Sequence, residues 1–247
     1  MKLLLFLSFC CFYSVLPAQP EAATVPSLND NGFSFAHFNE LTLPRKVVNK
    51  EDYQPFLQAL HDKNGHQIEF QPETLESGLI ALAFYPELKE VKIRYVFQDT
   101  KTTLAARPRF LSLFRGRDKR AYTIFVDKKV KNKEGVLFEN FPFNAQVGGL
   151  GHEYAHIIDY SRRSSLNIMW LGIKYLFSKK AKARLEHKVD KITIERGLGW
   201  QTLAWEEYIF HHSEASRKYK RYKRDFYLGE EEIREHMQKC KLYESLY

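Results

Sequence analysis

The residues with the clearest chemical meaning are two histidines and a glutamate in the stretch GHEYAH, residues 151–156. His152 and His156 are four positions apart, so on a helix they lie on one face and their imidazoles can reach a common atom. Glu153 lies one step round the same side. This is the HExxH pattern, in which two neutral imidazoles bind zinc and the glutamate accepts a proton from a zinc-activated water. We therefore predict one Zn²⁺ ion held by His152 and His156, with Glu153 as the catalytic base.

Two imidazoles bind zinc weakly, so a third ligand must come from elsewhere in the chain. The metzincin pattern would require a histidine or aspartate six residues after His156, where this chain has Arg162. Glu186 and Asp190 are better candidates, because a helical wheel puts both carboxylates between two apolar flanks of the segment 183–197. Such carboxylates are costly to bury unless a cation or strong donors meet them. We predict Glu186 as the third metal ligand and Asp190 as a residue that orients a ligating histidine.

Plainer interpretations of these residues stay open. Both carboxylates could pair with lysines or arginines, which are abundant in this chain. His187 is a rival ligand, but it points about 100° away from Glu186 and is expected at the surface. Three glycines before the motif either admit a close approach of a backbone or substrate, or only loosen the helix start: Gly148, Gly149 and Gly151. The candidates for an oxyanion-stabilising group are Tyr208, His211 and His212.

The hydrophobic pattern predicts helices, then a small sheet, then helices, which is an α+β architecture. Helical spacing covers residues 52–60 and 73–85. Alternating β-branched and aromatic residues predict strands over 91–98 and 122–129. No pattern assigns the segment 103–120 between them. We expect the strand 122–129 to be the edge of the sheet, along which an extended peptide could lie.

The pattern is helical from Asn144 onward. The predicted helices are the motif helix to 163, a helix over 179–196 closed by Gly197 and Gly199, and a long helix over 200–226. The apolar piece 168–177 is too short to cross a bilayer, so we expect it to pack in the core or to form a hairpin that touches a surface.

The first residues predict export. Lys2 precedes an apolar run and small residues, which is typical of a secretory signal cleaved after Ala18. A membrane anchor and a lipid anchor on Cys10 are the alternatives, but the run is shorter than the about 20 residues that a span needs. We therefore predict a signal peptide over 1–18, a single domain over 19–247, no transmembrane span in the mature chain, and a secreted or periplasmic location.

Net charge limits the expected partners, and cysteine content limits the possible disulfides. The chain has a formal net charge of +8, and a basic cluster, RKYKRYKR, covers residues 217–224. Such a cluster can bind nucleic acid or a membrane surface. In an exported protein we expect no nucleic acid, and predict a solvated basic helix that could face an anionic envelope surface. After signal cleavage only Cys240 would remain, so no internal disulfide could form.

Together these motifs resemble a known family. GHEYAH, followed 30 residues after His156 by the ExxxD of EHKVD, is similar to the gluzincin zinc metallopeptidases, in particular their HtpX-like branch. The resemblance covers residues 122–200. It implies a zincin-like fold, in which a small sheet packs its edge strand on the HExxH helix. It also implies that His152, His156 and Glu186 bind zinc, that Glu153 is the general base, and that Asp190 supports a ligand. Asp159 resembles the HExxHxxD of another gluzincin group, so the branch stays open.

The resemblance and the motif chemistry together predict a secreted or periplasmic zinc-dependent peptidase, a hydrolase whose substrate is a peptide or protein. The alternative is a non-catalytic, exported basic protein that binds an anionic surface or partner, with the metal structural or absent. A third reading is a latent protease that is held inactive by residues 24–70.

Overall fold

A computed structural model describes residues 42–128 and 136–246 of the chain. The strands are β1 (Ile68–Glu69), β2 (Lys92–Gln98), β3 (Leu104–Pro108) and β4 (Ala121–Asp127). The α-helices are α1 (Lys50–Tyr53), α2 (Leu57–Leu60), α3 (Pro72–Ala83), α4 (Phe143–Ser161), α5 (Ser165–Phe177), α6 (Lys179–Thr193), α7 (Gly199–Glu207), α8 (Arg217–Phe226) and α9 (Glu230–Lys239). A small mixed sheet is thus followed by a mainly helical part, which confirms the predicted α+β architecture.

The four strands are ordered β1-β2-β4-β3 across the sheet. β4 pairs in parallel with β2 and antiparallel with β3, where Ala106 lies opposite Ile124. The prediction that the strand 122–129 forms the sheet edge is therefore wrong. Both faces of β4 are also covered, since Tyr122 and Ile124 on one face and Thr123 on the other are almost completely buried.

The edge next to the motif helix is β3, within the segment that the sequence pattern left unassigned. β3 has only five residues and ends in Pro108, a residue that sheets tolerate at their edges. It packs against α4, so an edge strand does lie on the HExxH helix, as expected, although it is a different strand.

Most helices lie where the pattern predicts them. α1 and α2, joined by a 3₁₀ turn, cover the predicted helix 52–60, and α3 covers most of 73–85. The single long helix predicted over 200–226 is wrong. Residues 213–216 are not helical, and Ser216 caps α8 by accepting a hydrogen bond from the Tyr219 N–H at 3.1 Å. A serine side chain that satisfies a free helical amide favours a new helix start over continuation.

The break after α6 depends on one glycine. Gly197 has a φ of 101°, the left-handed region that glycine adopts without a steric penalty. This residue redirects the chain from α6 into α7, as the sequence predicted. Gly199, by contrast, begins α7 and closes nothing.

The apolar piece 168–177 belongs to α5, and its expected core packing holds for one face only. Ile168 is the one buried residue of this helix, and Leu171 and Tyr175 pack partly against the core. Leu166 and Trp170 point outward and are 77% and 55% exposed.

Among the residues that the structure describes, no helix combines the length and apolar character needed to cross a membrane. The predicted signal peptide 1–18 and the start of the domain lie outside those residues. Cys240 is a partly buried free thiol.

Candidate metal centre

Three side chains that the sequence predicts as metal ligands converge in the structure. His152 and His156 come from the middle of α4, and Glu186 comes from α6, which packs beside it. Glu186 Oε2 lies 3.2 Å from His152 Nε2 and 3.2 Å from His156 Nε2. One ligand atom from each residue falls within 4.8 Å of the other two. His187 is not a member of this cluster.

The distances from Glu186 Oε2 to the two imidazole nitrogens fit a small divalent ion. Ligands held at about 2.0–2.1 Å from zinc in tetrahedral geometry lie about 3.3 Å from one another. The two nitrogen-to-oxygen separations of 3.2 Å match that spacing. Two imidazoles and one carboxylate are also a donor set that zinc accepts, with a fourth position left for another ligand. Zn²⁺ therefore fits the residues that are present, and His152, His156 and Glu186 would hold it.

Asp190 lies directly behind the first histidine. Its Oδ1 lies 2.8 Å from His152 Nδ1, and its Oδ2 accepts a hydrogen bond from the Leu228 N–H at 3.0 Å. Because an ionised carboxylate only accepts hydrogen bonds, this contact keeps the imidazole proton on Nδ1 and turns Nε2 toward Glu186. Asp190 thus has the orienting position that the sequence predicted. His156 differs, since its buried Nδ1 has no hydrogen-bond partner.

The charged groups of the cluster shift the pKa values of His152 and Glu186. Burial alone would lower the pKa of His152, but hydrogen bonds and attraction to Asp190, together with Glu186, raise the pKa to about 10. Burial alone would raise the pKa of Glu186, but attraction and hydrogen bonds to His156 and His152 hold this pKa well below its usual value. The site therefore binds positive charge strongly, and a proton and a metal ion compete for it.

Glu153 lies between the cluster and the sheet edge. The residue is 5% exposed, and Oε2 accepts a hydrogen bond from the backbone N–H of Ala106 in β3. This amide faces away from β4, on the open side of the strand. A carboxylate next to His152 is thus held at the place where an added strand would pair with β3.

Three tyrosines that were not predicted from the sequence surround the cluster. Tyr175 of α5 donates a hydrogen bond to Glu186 Oε1 at 2.6 Å. Tyr160 stacks on His156 with ring centroids 5.7 Å apart, and Tyr227 lies 5.6 Å from the His152 ring. Burial raises the pKa of each phenol, so each hydroxyl keeps its proton and can act as a hydrogen-bond donor. Tyr160 was detectable, because it follows His156 by one helical turn.

The three glycines before the motif let α7 pack closely on α4. A Cβ at Gly148 would overlap the carbonyl of Gln201, and a Cβ at Gly149 would overlap the ring of Trp205. A Cβ at Gly151 would meet the end of the Leu198 side chain, just before α7, which is a softer restriction because that side chain can move. The close approach of another segment is therefore the reading that the structure supports, and that segment is α7.

A buried ion pair lies on the far side of His152 and Asp190. Lys223 Nζ lies 2.8 Å from Glu206 Oε1, and both side chains are almost completely buried. With His152, Asp190 and their neighbours they line a cavity of about 30 Å³, which is room for about one water molecule. The cluster 217–224 is therefore not wholly solvated, since Lys223 faces inward.

The remaining candidate residues have other partners. Asp159 is buried and pairs with Arg163 and Lys188, each at 2.6 Å, so it ties α4 to α6. Tyr208 packs on Phe141, and His211 pairs with Glu230 at 2.6 Å on the exposed surface. His212 is exposed beside His211. None of these contacts brings an oxyanion candidate to the three ligand atoms.

The chain was compared with models of protein families, with curated proteins and with solved structures. None of the three comparisons found a match.

Proposed function

We propose that this protein is a zinc-dependent peptidase. The observation that carries the proposal is the convergence of His152, His156 and Glu186 beside a second carboxylate, Glu153, which accepts a hydrogen bond from the edge strand β3. Structural zinc sites close all four positions with protein ligands, whereas catalytic sites keep one position open. Three protein ligands and an adjacent base match the second arrangement.

The residues divide the work of peptide hydrolysis. When bound, zinc would supply a Lewis acid that polarises the scissile carbonyl and lowers the pKa of water. Glu153 would accept the proton of the attacking water and pass it to the leaving amine. A substrate in extended conformation would pair with β3. Its backbone would then accept the hydrogen bond from the Ala106 N–H that Glu153 accepts in the free protein. Tyr175, which donates to Glu186, would keep that ligand oriented.

Two measurements on one variant test this proposal. Metal analysis of the purified protein should find one zinc per chain both in the native protein and in Glu153→Gln. Cleavage of an unstructured protein such as casein should fall by at least about a hundredfold in Glu153→Gln, because the general base is lost. The matched control is Glu235→Gln, an exposed glutamate on α9, which should keep full activity. Protein without stoichiometric metal, or undiminished cleavage by Glu153→Gln, contradicts the proposal.

A second candidate is a non-catalytic protein in which the metal only stabilises the fold. Burial favours this candidate, because the residues of the cluster are 1–9% exposed and the adjoining cavity of about 30 Å³ is too small for a peptide. In that case zinc would still be found, chelation would lower the melting temperature, and Glu153→Gln would change no activity. The location outside the cytoplasm stays a proposal as well, and N-terminal sequencing of the exported protein tests cleavage after Ala18.

A further inference from the structure

Helix α5 is apolar on two opposite faces. Its inner face, with Ile168, Leu171 and Tyr175, packs on the core. On its outer face Leu166, Trp170 and Phe177 follow at helical spacing and are 77%, 55% and 58% exposed. A helix that is apolar all round is normally covered on every side, so the outer face is expected to have a partner.

The exposed face continues onto a neighbouring segment. Ser165, at the start of α5, donates a hydrogen bond to the carbonyl of Leu113 at 2.5 Å, so the 3₁₀ turn 110–114 lies beside this helix. That turn exposes two further large residues. Six of the nine exposed large hydrophobic residues in the described part of the chain lie in these two segments. We call them the apolar surface: Leu111, Phe114, Leu166, Trp170, Leu176 and Phe177.

The charges around the apolar surface are mostly positive. Residues 161–185 contain seven lysines and arginines and no acidic residue, and residues 107–120 contain six and only Asp118; of these cations, Arg120 is buried and Arg163 pairs with Asp159. Lys174 lies 5.3 Å from the centre of the Trp170 ring, with its charged end at the edge of the apolar face. Aromatic and aliphatic side chains bordered by lysine and arginine are typical of helices that lie in the headgroup region of a membrane.

We propose that the apolar surface docks this protein onto an anionic lipid bilayer, with α5 lying in the plane of the interface. A helix of 13 residues cannot cross the bilayer, which needs about 20. Anionic headgroups match the positive border, and the acyl boundary matches the side chains inside it. A second copy of the chain is a poor alternative, because pairing through this face would bring two strongly positive borders together.

The docking surface adjoins the candidate metal centre. Tyr175, on the inner face of α5, donates to Glu186, so the same helix contacts the cluster on one side and the bilayer on the other. The surface also differs from the basic cluster 217–224, whose Lys223 is buried in an ion pair.

Vesicle binding tests the proposal with residues 19–247, the chain without the predicted signal peptide. Vesicles of phosphatidylcholine are compared with vesicles that also contain about 30 mol% phosphatidylglycerol. We expect sedimentation with the anionic vesicles only, and a blue shift of tryptophan emission as Trp170 leaves water. The double variant Trp170→Ser/Phe177→Ser should bind at least about tenfold more weakly, because two apolar anchors are lost. Lys179→Gln/Lys180→Gln should weaken binding to anionic vesicles and reduce its salt dependence.

Two control variants separate this surface from others. Leu43→Ser/Val47→Ser removes two apolar residues that are 54% and 55% exposed outside the surface, and should bind normally. Arg217→Gln/Arg221→Gln, in the other basic cluster, should also bind normally. Circular dichroism checks that every variant is folded. Absence of binding to anionic vesicles, or native binding by Trp170→Ser/Phe177→Ser, overturns the proposal. So does a native dimer that this variant makes monomeric, because a second copy would then cover the surface.

Discussion

The position of Asp190 leads to a sharp prediction for the variant Asp190→Asn. The native carboxylate accepts two hydrogen bonds, from His152 Nδ1 at 2.8 Å and from the Leu228 N–H at 3.0 Å. In an asparagine only one of the two terminal atoms, the oxygen, is an acceptor, so it cannot accept at both positions. If its oxygen faces Leu228, its amide donates to His152 Nδ1, and the imidazole proton must move to Nε2. If its oxygen faces His152, its amide meets the Leu228 N–H, donor against donor.

The first arrangement weakens metal binding, because it puts a proton on the nitrogen that would bind the ion. The second keeps the native tautomer but leaves a buried donor unsatisfied at about 1–3 kcal/mol, so the variant is expected to adopt the first. Loss of a group that orients a metal ligand typically costs ten- to a hundredfold in affinity, or about 1.4–2.7 kcal/mol. We therefore expect Asp190→Asn to bind zinc ten to a hundred times more weakly than the native protein.

The assay is a zinc titration in competition with a chromophoric chelator at neutral pH. The matched control is Asp225→Asn, an exposed aspartate on α8, whose affinity should be unchanged. Circular dichroism of the metal-free proteins checks that Asp190→Asn still folds. If the folded variant binds zinc within about threefold of the native protein, the orienting role of Asp190 is refuted.

Three further predictions concern stability, measured by urea denaturation. Gly149→Ala should lower the free energy of unfolding by about 1–3 kcal/mol, because its Cβ overlaps the Trp205 ring; unchanged stability would mean that α7 does not pack this closely on α4. Lys223→Met should lower the free energy of unfolding by about 3–5 kcal/mol, because Glu206 stays buried without its cation. Adding Glu206→Gln should recover part of this loss. A double variant as unstable as the single one would exclude the ion pair as the cause. Burial alone would raise the pKa of Asp159, but Arg163 and Lys188 outweigh burial and hold the folded pKa below 3.8. The ion pairs of Asp159 therefore contribute to the free energy of unfolding above pH 3.8. That contribution is lost as the pH falls through the folded pKa. Asp159→Asn should therefore reduce stability at neutral pH and flatten its acid dependence, and an unchanged acid limb would count against this ion pair.

Local periodicity was sufficient to find the candidate ligands. Glu186 and Asp190 interrupt the apolar arc of α6 at one-turn spacing, and the HExxH spacing fixes the face of α4. Both signals are contained within single helices, so they do not require knowledge of which elements become neighbours. The same holds for the turn at Gly197, where a glycine after a periodic segment indicated the break.

The missed features depend on contacts between distant segments. Strand pairing decides that β3, and not the strand around Ile124, is the edge, and the alternation within a strand does not report its neighbours. Tyr175 reaches Glu186 only because α5 folds back beside α6. Lys223 carried a weak local signal, since it shares one helical face with Tyr219 and Phe226, which are both buried. The cluster 217–224 was read as a run of charge, and that face was overlooked.

The bond between Glu153 and the Ala106 N–H also bears on biosynthesis. The ribosome makes β2, β3 and β4 before it makes α4, so the sheet can pair while the outer side of β3 still has no cover. A strand with an unpaired amide edge is a template for association with other chains. The nascent protein is therefore most prone to aggregate in the interval before α4 emerges, and slowing translation just after Asp127 should lower its soluble yield.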